Sequence, residues 1–380
     1  MKANTVLEFK TRTSSKQDLQ DKLSPWKFLK TKGNLHFELP IYFNEPVSLL
    51  QKNAEIMANY QILVTANNTN NSLHRLAQVA MFSVAQFSGS IGRKYKPLNA
   101  LLGETFEILN NDYRYFSEQV SSDVSACCAE SNDYSLRFQT QLNSEAIENE
   151  WTFNPIGVIH VKLKKWEEEY KIERPNVVVR TKTDNNLYID CIGKSTIINK
   201  KTKEMCVLEY YEKGLSESTY GVIEGFIAND EGNKLIELTG KWTEYIQMRN
   251  IKTNKVEVLW KCPSIVKDTK NHYGLPIFVQ EMNKLTKELE AVLPPTDSRL
   301  RPDRKALEDN DIKLASNEKY RLEEIQRANS VVRKNKKIAY KPIYFKEYID
   351  PVSDEKEYKF NGKYWEDRKK MDWSHLPNIY

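Results

Sequence analysis

The chain has 380 residues, 40% hydrophobic and 29% charged, which is the composition of a globular protein and excludes a disordered or fibrous one. Fifty-seven Lys and Arg against 52 Asp and Glu leave +5, too small an excess at this length to argue for nucleic acid. No apolar run reaches the roughly 18 residues of a spanning helix. Five cysteines suggest no disulfide framework, and "MKANTVLEFKTRTSSKQ" lacks the apolar stretch of a signal peptide. A reducing, cytoplasmic setting is expected, where the sequons at 67–69 and 70–72 stay unmodified.

Residues 1–25 are polar and without period, a flexible lead-in, followed by one apolar turn around Trp26, Phe28 and Leu29. "FNEPVSLLQKNAEIMANY" predicts a helix capped by Asn44, with Pro46 in its first turn and Val47, Leu50, Ala54 and Met57 as its stripe. "SLHRLAQVAMFSVAQF" predicts a second, capped by Ser72, with Leu73, Leu76, Ala80, Met81 and Val84 on one face. After residue 100 the period falls from 3.6 to 2. "SLRFQTQL" alternates Leu136, Phe138 and Leu142 with Arg137, Gln139 and Gln141, and "VIHVKL" alternates Ile159, Val161 and Leu163 with His160 and Lys162.

"VVVRTKT", "LYIDCI", "STIINK", "MCVLEYYE", "YGVIEGFI", "KLIELTGKWTEYIQM" and "KVEVLWK" continue the series, with turn signals at 183–186, 199–204 and 229–233. Short strands at this spacing predict a large antiparallel sheet, closed most simply as a barrel wide enough to hold a ligand. Beyond Pro263 "IFVQEMNKLTKELEAVL" places Phe278, Met282, Leu285, Leu289 and Val292 on one helical face. "NEKYRLEEIQRANSVVRKNKK" predicts a long charged helix, and the aromatic-rich tail is expected to pack on the body.

Catalytic patterns fail in turn. Cys127 and Cys128 are adjacent, the other cysteines have no paired spacing, and the five histidines are scattered, so no metal site is expected. There is no G-x-S-x-G, and "GSIGRK" lacks the spacing of a phosphate loop. Glu104 has no evident carboxylate partner and reads as a strand-end group satisfied by local amides. Neither an enzyme nor a cofactor is expected.

Four segments, in order, carry a resemblance: "ELPIYFNEPVSLLQ" (38–51), "KPLNALLGETFE" (96–107), "PTDSRLRPDRKALEDNDIKLASNEKYRLEEIQR" (295–327) and "NGKYWEDRKKMDWSHLPNIY" at the end. Together they resemble the lipid-binding domain of the oxysterol-binding protein family over residues 38–380. The resemblance makes "SEQVSSDVSACCAE" legible. Glu118, Gln119, Val120 and Ser121 match the signature E-Q-V-S-H-H-P-P, but Ser122 and Asp123 stand where H-H-P-P would be, and the strand resumes at Val124.

The resemblance implies an α+β fold: a near-closed antiparallel β-barrel with a lipid tunnel over 101–262. A flexible N-terminus and lid over 1–43 and a helical segment over 44–100 precede it. A C-terminal helical subdomain over 263–380 completes one lipid-binding domain. It implies a lipid-transfer protein carrying a sterol between membranes, and as the alternative a sensor or scaffold binding sterol or phosphatidylserine without phosphoinositide exchange. Headgroup contacts carry over as Lys96, Asn99, Lys319, Glu323 and Arg327. Spacings of four put the last three on one helix face, where Glu323 can hold both cations.

Two cations and an amide suit a phosphomonoester such as that of phosphatidylinositol 4-phosphate. Loss of both loop histidines, at about 1.5–3 kcal/mol per charged hydrogen bond, would weaken that binding by roughly two to four decades, and Asp123 would repel the phosphate. Arg333, Lys334, Lys336 and Lys337 would hold the protein peripherally on anionic intracellular membranes.

Overall fold

The computed structural model describes residues 39–147, 150–181, 187–263, 272–351 and 354–380. The lid expected over 1–43 falls almost wholly outside them, as does the turn signal at 183–186.

The first described segment corrects the helix predicted from Asn44. Asn44–Ser48 is a strand, β1, paired in parallel with β2, Lys96–Leu98. The Asn44 side chain does not cap a helix; it donates to the carbonyls of Lys96 and Pro97 at 3.1 and 3.2 Å. The helix α1 starts at Leu49 and runs to Ala54, with Ser48 as its cap and Gln51 completing a reciprocal capping box, two orphan donors satisfied at once. The apolar stripe is as expected, since Val47, Leu50, Ala54 and Met57 are all fully buried. A short helix, α2 (Tyr60–Asn68), leads to α3 (Ser72–Ala85). The cap of α3 is Asn71, which accepts from the His74 amide at 3.0 Å, and Ser72 is its first residue.

The barrel strands follow in chain order: β3 (Thr105–Leu109), β4 (Tyr113–Gln119), β5 (Ser125–Ser131), β6 (Tyr134–Ile147), β7 (Glu150–Ile156), β8 (Ile159–Leu163) and β9 (Glu168–Ile172). After them come β10 (Asn176–Thr181), β11 (Leu187–Asn199), β12 (Met205–Tyr210), β13 (Val222–Ala228), β14 (Lys234–Lys241), β15 (Tyr245–Asn250) and β16 (Val256–Lys261). Neighbours pair antiparallel from β3 to β6 and from β10 to β16. Between these runs the sheet forks. The first half of β6 pairs with β8, its second half with β7, and β9 and β10 rejoin at β11. Gly157, at the turn between β7 and β8, has φ +81, a backbone region glycine enters without steric cost. Helix α1 packs on β3–β5, and α3 on β9, β11–β13 and β16, so the helical segment spans the curled sheet and lies in one core with it.

Beyond the barrel, the single helix predicted over 277–293 is two: α4 (Ile277–Asn283), then a short turn of helix over Lys287–Glu290 capped by Thr286. Helices α5 (Pro302–Glu308) and α6 (Ile312–Lys336) follow, then the hairpin β17 (Phe345–Ile349) and β18 (Lys356–Phe360), and α7 (Lys363–Lys370). The tail packs on the body as predicted. Phe116 of β4 meets Tyr344, Phe345, Phe360, Tyr364 and Trp365, with the Tyr364 ring stacked at 3.9 Å.

Candidate functional site

Several charged residues of the motifs are interior. Glu104 is fully buried, accepts from the Leu101 amide at 2.8 Å and from both Ser48 and Ser298, and pairs with Arg301 at 2.7 Å. Arg301 is held in turn by Asp303 at 2.7 Å. The expectation of local amides holds for Leu101 alone; Glu104 is otherwise satisfied by Ser48, Ser298 and Arg301, all distant in sequence. Arg93 pairs with Glu45 and, at 2.6 Å, with Glu55, and Lys52 reaches Glu55 at 2.8 Å. Burial works against Glu55, but Arg93 and Lys52 pull its carboxyl below the usual range. Burial holds Glu45 above it. These groups compensate one another, as buried charges must.

Beside them lies a cavity of about 400 Å³, within the roughly 300–1,000 Å³ of ligand pockets. Phe43, Leu49 and Ile56 from the N-terminal segment face Phe138, Ile159 and Val177 from the strands. The wall is continuous with Lys94 and Asn99, both exposed, so the cavity opens to solvent there.

Lys96 lines this mouth. Its ammonium donates to the Asn99 side-chain oxygen. Burial pushes it down to about 8, Lys319 adds to the effect and Glu323 opposes it, so α6 presents Lys319 and Glu323 to Lys96 across the mouth. Lys319 and Glu323 are paired at 2.6 Å and half-buried. Arg327, one turn further on, is exposed and pairs with Glu324. The fold thus brings together Lys96, Asn99, Lys319 and Glu323, with Arg327 at the periphery.

The Ser121–Asp123 loop closes the hairpin from β4 to β5. Asp123 accepts from Ser121 and from Gln141 Nε2, each at 2.7 Å. Asp123 is thus engaged within its own hairpin and by Gln141. Upstream, Glu118 is 1% exposed and accepts from the backbone amides of Ile343 and Tyr344 at 2.8 and 2.9 Å. The matched part of the signature anchors the C-terminal segment. Cys127 and Cys128 lie on β5, and burial pushes their thiols up, that of Cys127 to about 12, which keeps both protonated and poorly nucleophilic at neutral pH. No three His, Cys, Asp or Glu side chains among the described residues could hold a metal.

A curled antiparallel sheet around an apolar cavity with a cationic mouth defines a lipid-binding tunnel fold. The family profile described as Oxysterol-binding protein matches residues 24–369, and the chain belongs to that family. Oxysterol-binding protein-related protein 1 of Rattus norvegicus is 29% identical over 100% of this chain and 45% of its own length. Oxysterol-binding protein-related protein 2B of Arabidopsis thaliana is 30% identical over 99% and 55%. The chain thus spans about half the length of these relatives. The Osh1 ORD domain in complex with cholesterol superposes with TM-score 0.88 at 29% identity, covering 94% of this chain and 91% of that one. The Osh3 ORD in complex with PI(4)P from Saccharomyces cerevisiae gives 0.82 at 27%, covering 94% and 96%.

Proposed function

We propose that this chain binds a sterol in its tunnel and carries it between membranes. The observation that carries the reading is the apolar cavity of about 400 Å³ opening beside Lys96 and Asn99. Burial of an apolar ligand there is favourable at about 25 cal/mol per Å². The Osh1 ORD domain is known in complex with cholesterol and with ergosterol, which supports the same ligand class here. The process is physical transfer without covalent chemistry. The mouth residues Lys96, Asn99, Lys319 and Glu323, with Arg327 beside them, are the proposed headgroup contacts. Residues 1–43 are the proposed lid, 44–100 the segment leading into the barrel and 263–380 the C-terminal subdomain. The basic end of α6 (Arg333, Lys334, Lys336) and Lys337 is the proposed contact with anionic intracellular membranes, and a peripheral location is part of the proposal.

The test is mass spectrometry of lipid co-purified with the chain, followed by transfer of a fluorescent sterol between liposomes. A recovered sterol and accelerated transfer are expected; an empty protein without transfer refutes the reading. The alternative, a sensor that binds without phosphoinositide exchange, is favoured by the self-contained Ser121–Asp123 loop. It predicts sterol binding with no acceleration by phosphatidylinositol 4-phosphate in the acceptor membrane.

A further inference from the structure

The cavity's charged groups differ in how they are compensated. Lys52, Glu45, Glu55 and Arg93 form a closed set. Arg174 stands apart. It lies in the link between β9 and β10, at the fork where β6 leaves β8 for β7, and it lines the cavity. Its Nη2 donates to the carbonyls of Gln139 and Ile156 at 3.0 and 2.9 Å. Both are neutral acceptors, and among the described residues no carboxylate pairs with it. Nε is closed off from solvent and has no acceptor. Burial pushes the guanidinium down to about 10.

A second unmet donor lines the same cavity. Asn53 of α1 also lines the cavity, and its Nδ2 is buried without an acceptor. Both groups also bear on the Cys127 thiol of β5. Burial pushes that thiol up, while the Tyr115 hydroxyl, the Arg174 charge and the Asn53 amide act against the rise. A protonated thiol is a weak acceptor, so neither donor is satisfied by it. Arg174 is half-buried; a cation partly withdrawn from water without a counter-charge is costly, and unmet buried donors add to that cost. Both costs are removed by a ligand that brings an anionic oxygen to this spot.

We propose that Arg174 and Asn53 form an anion-accepting subsite inside the tunnel, selecting apolar ligands whose buried end carries a carboxylate. Both a sterol acid and a long-chain fatty acid have that chemistry. The guanidinium offers a planar fork to a carboxylate, and the amide supplies a further donor. The proposal rests on the reading of the cavity as a lipid tunnel.

The test is competition against a fluorescent sterol bound to the purified chain. The probes are cholesterol, cholesteryl hemisuccinate, its methyl ester, and oleate. The hemisuccinate is expected to displace the sterol about tenfold better than its neutral ester, the worth of one charged hydrogen bond or more. Displacement by oleate as well extends the site to fatty acids, and its failure restricts it to sterol acids. Arg174→Met should erase the preference for carboxylate, leave cholesterol binding intact and leave the unliganded melting temperature unchanged or higher. Arg174→Lys should keep part of the preference, and Asn53→Leu should reduce it.

Equal displacement by acid and ester in the native chain overturns the subsite while cholesterol binding upholds the tunnel. A Met variant that melts lower and loses every ligand alike makes Arg174 a strut for the Gln139 and Ile156 carbonyls, which also overturns it. Cholesterol failing to displace the probe sinks the tunnel reading and the subsite with it.

Discussion

Replacing Glu118 by Gln tests how the barrel holds its C-terminal segment. Burial raises the Glu118 carboxyl to about 7, against backbone hydrogen bonds from Ile343 and Tyr344 that lower it. The folded state therefore binds this proton more tightly than the unfolded chain, whose value is near 4.5. The resulting stabilisation is full below about pH 4.5 and is lost as pH rises through about 7. Between pH 5.5 and 8.5 it declines by about 2 kcal/mol, since each tenfold difference in proton affinity between the two states is worth about 1.36 kcal/mol. Glu118→Gln has no such titration. It keeps one oxygen for the two amides now bound at 2.8 and 2.9 Å, so it starts with a deficit of about 1–3 kcal/mol for an unmet donor. The assay is urea unfolding followed by tryptophan fluorescence, since Trp365 and Trp373 belong to the adjacent aromatic cluster. The variant is expected to be the less stable at pH 5.5 and to close most of the gap by pH 8.5. A gap that stays constant across this range would show that Glu118 is ionised throughout and refute the reasoning.

Arg301→Met strands the buried Glu104 and Asp303 carboxylates and should cost about 3–5 kcal/mol, read as a lowered thermal midpoint. Reversing the charge at Arg333, Lys334, Lys336 and Lys337 should reduce binding to anionic liposomes, with the difference shrinking as salt rises; unchanged sedimentation with liposomes would assign the contact to another face. Replacing Ser122 and Asp123 by His-His-Pro-Pro should raise affinity for phosphatidylinositol 4-phosphate at least tenfold, about 1.4 kcal/mol, with sterol affinity little changed. If the native chain extracts the phosphoinositide as well as the repaired one, the missing histidines do not matter.

The strands most legible in the sequence are those with one face in the core, such as β8, where Ile159, Val161 and Leu163 are buried and Lys162 is exposed, although His160 of the outer face is buried against Glu357 of the C-terminal hairpin. Strand β4 has no such alternation, because Tyr115 packs into the barrel core and Phe116 into the C-terminal cluster. Its polar residues Ser117, Glu118 and Gln119 are buried as well, so period 2 is absent although the strand is present. The cap at Ser48 was hidden by Asn44 and Pro46, which mark a helix start in isolation and are held extended by pairing with β2. In the site, spacing of four on α6 shows the Lys319–Glu323 pair. Nothing in local sequence brings Lys96 to that pair; only the resemblance did. Arg174 and Asn53 had no pattern at all, since an unpaired donor is defined by what surrounds it in space.

Within the family motifs, the buried charges and the proposed headgroup contacts play different parts. Glu45 with Arg93, Glu104 with Arg301, and Glu118 with the Ile343 and Tyr344 amides each tie together segments far apart in sequence. Each is a buried charge that loses several kcal/mol if its partner is removed. Change at these positions is thus felt first as loss of the fold. The mouth is different. Lys319 and Glu323 are half-buried, Asn99 and Asp123 are exposed, and Asp123 is bonded within its own hairpin and to Gln141. An exposed pair such as Arg327 with Glu324 contributes about 0–1 kcal/mol to stability. The loop can therefore lose its histidines, and with them donors to a phosphate, while the barrel and its tunnel stand. On the proposed reading, lipid choice would rest on the shortened loop at the surface and on Arg174 inside the tunnel.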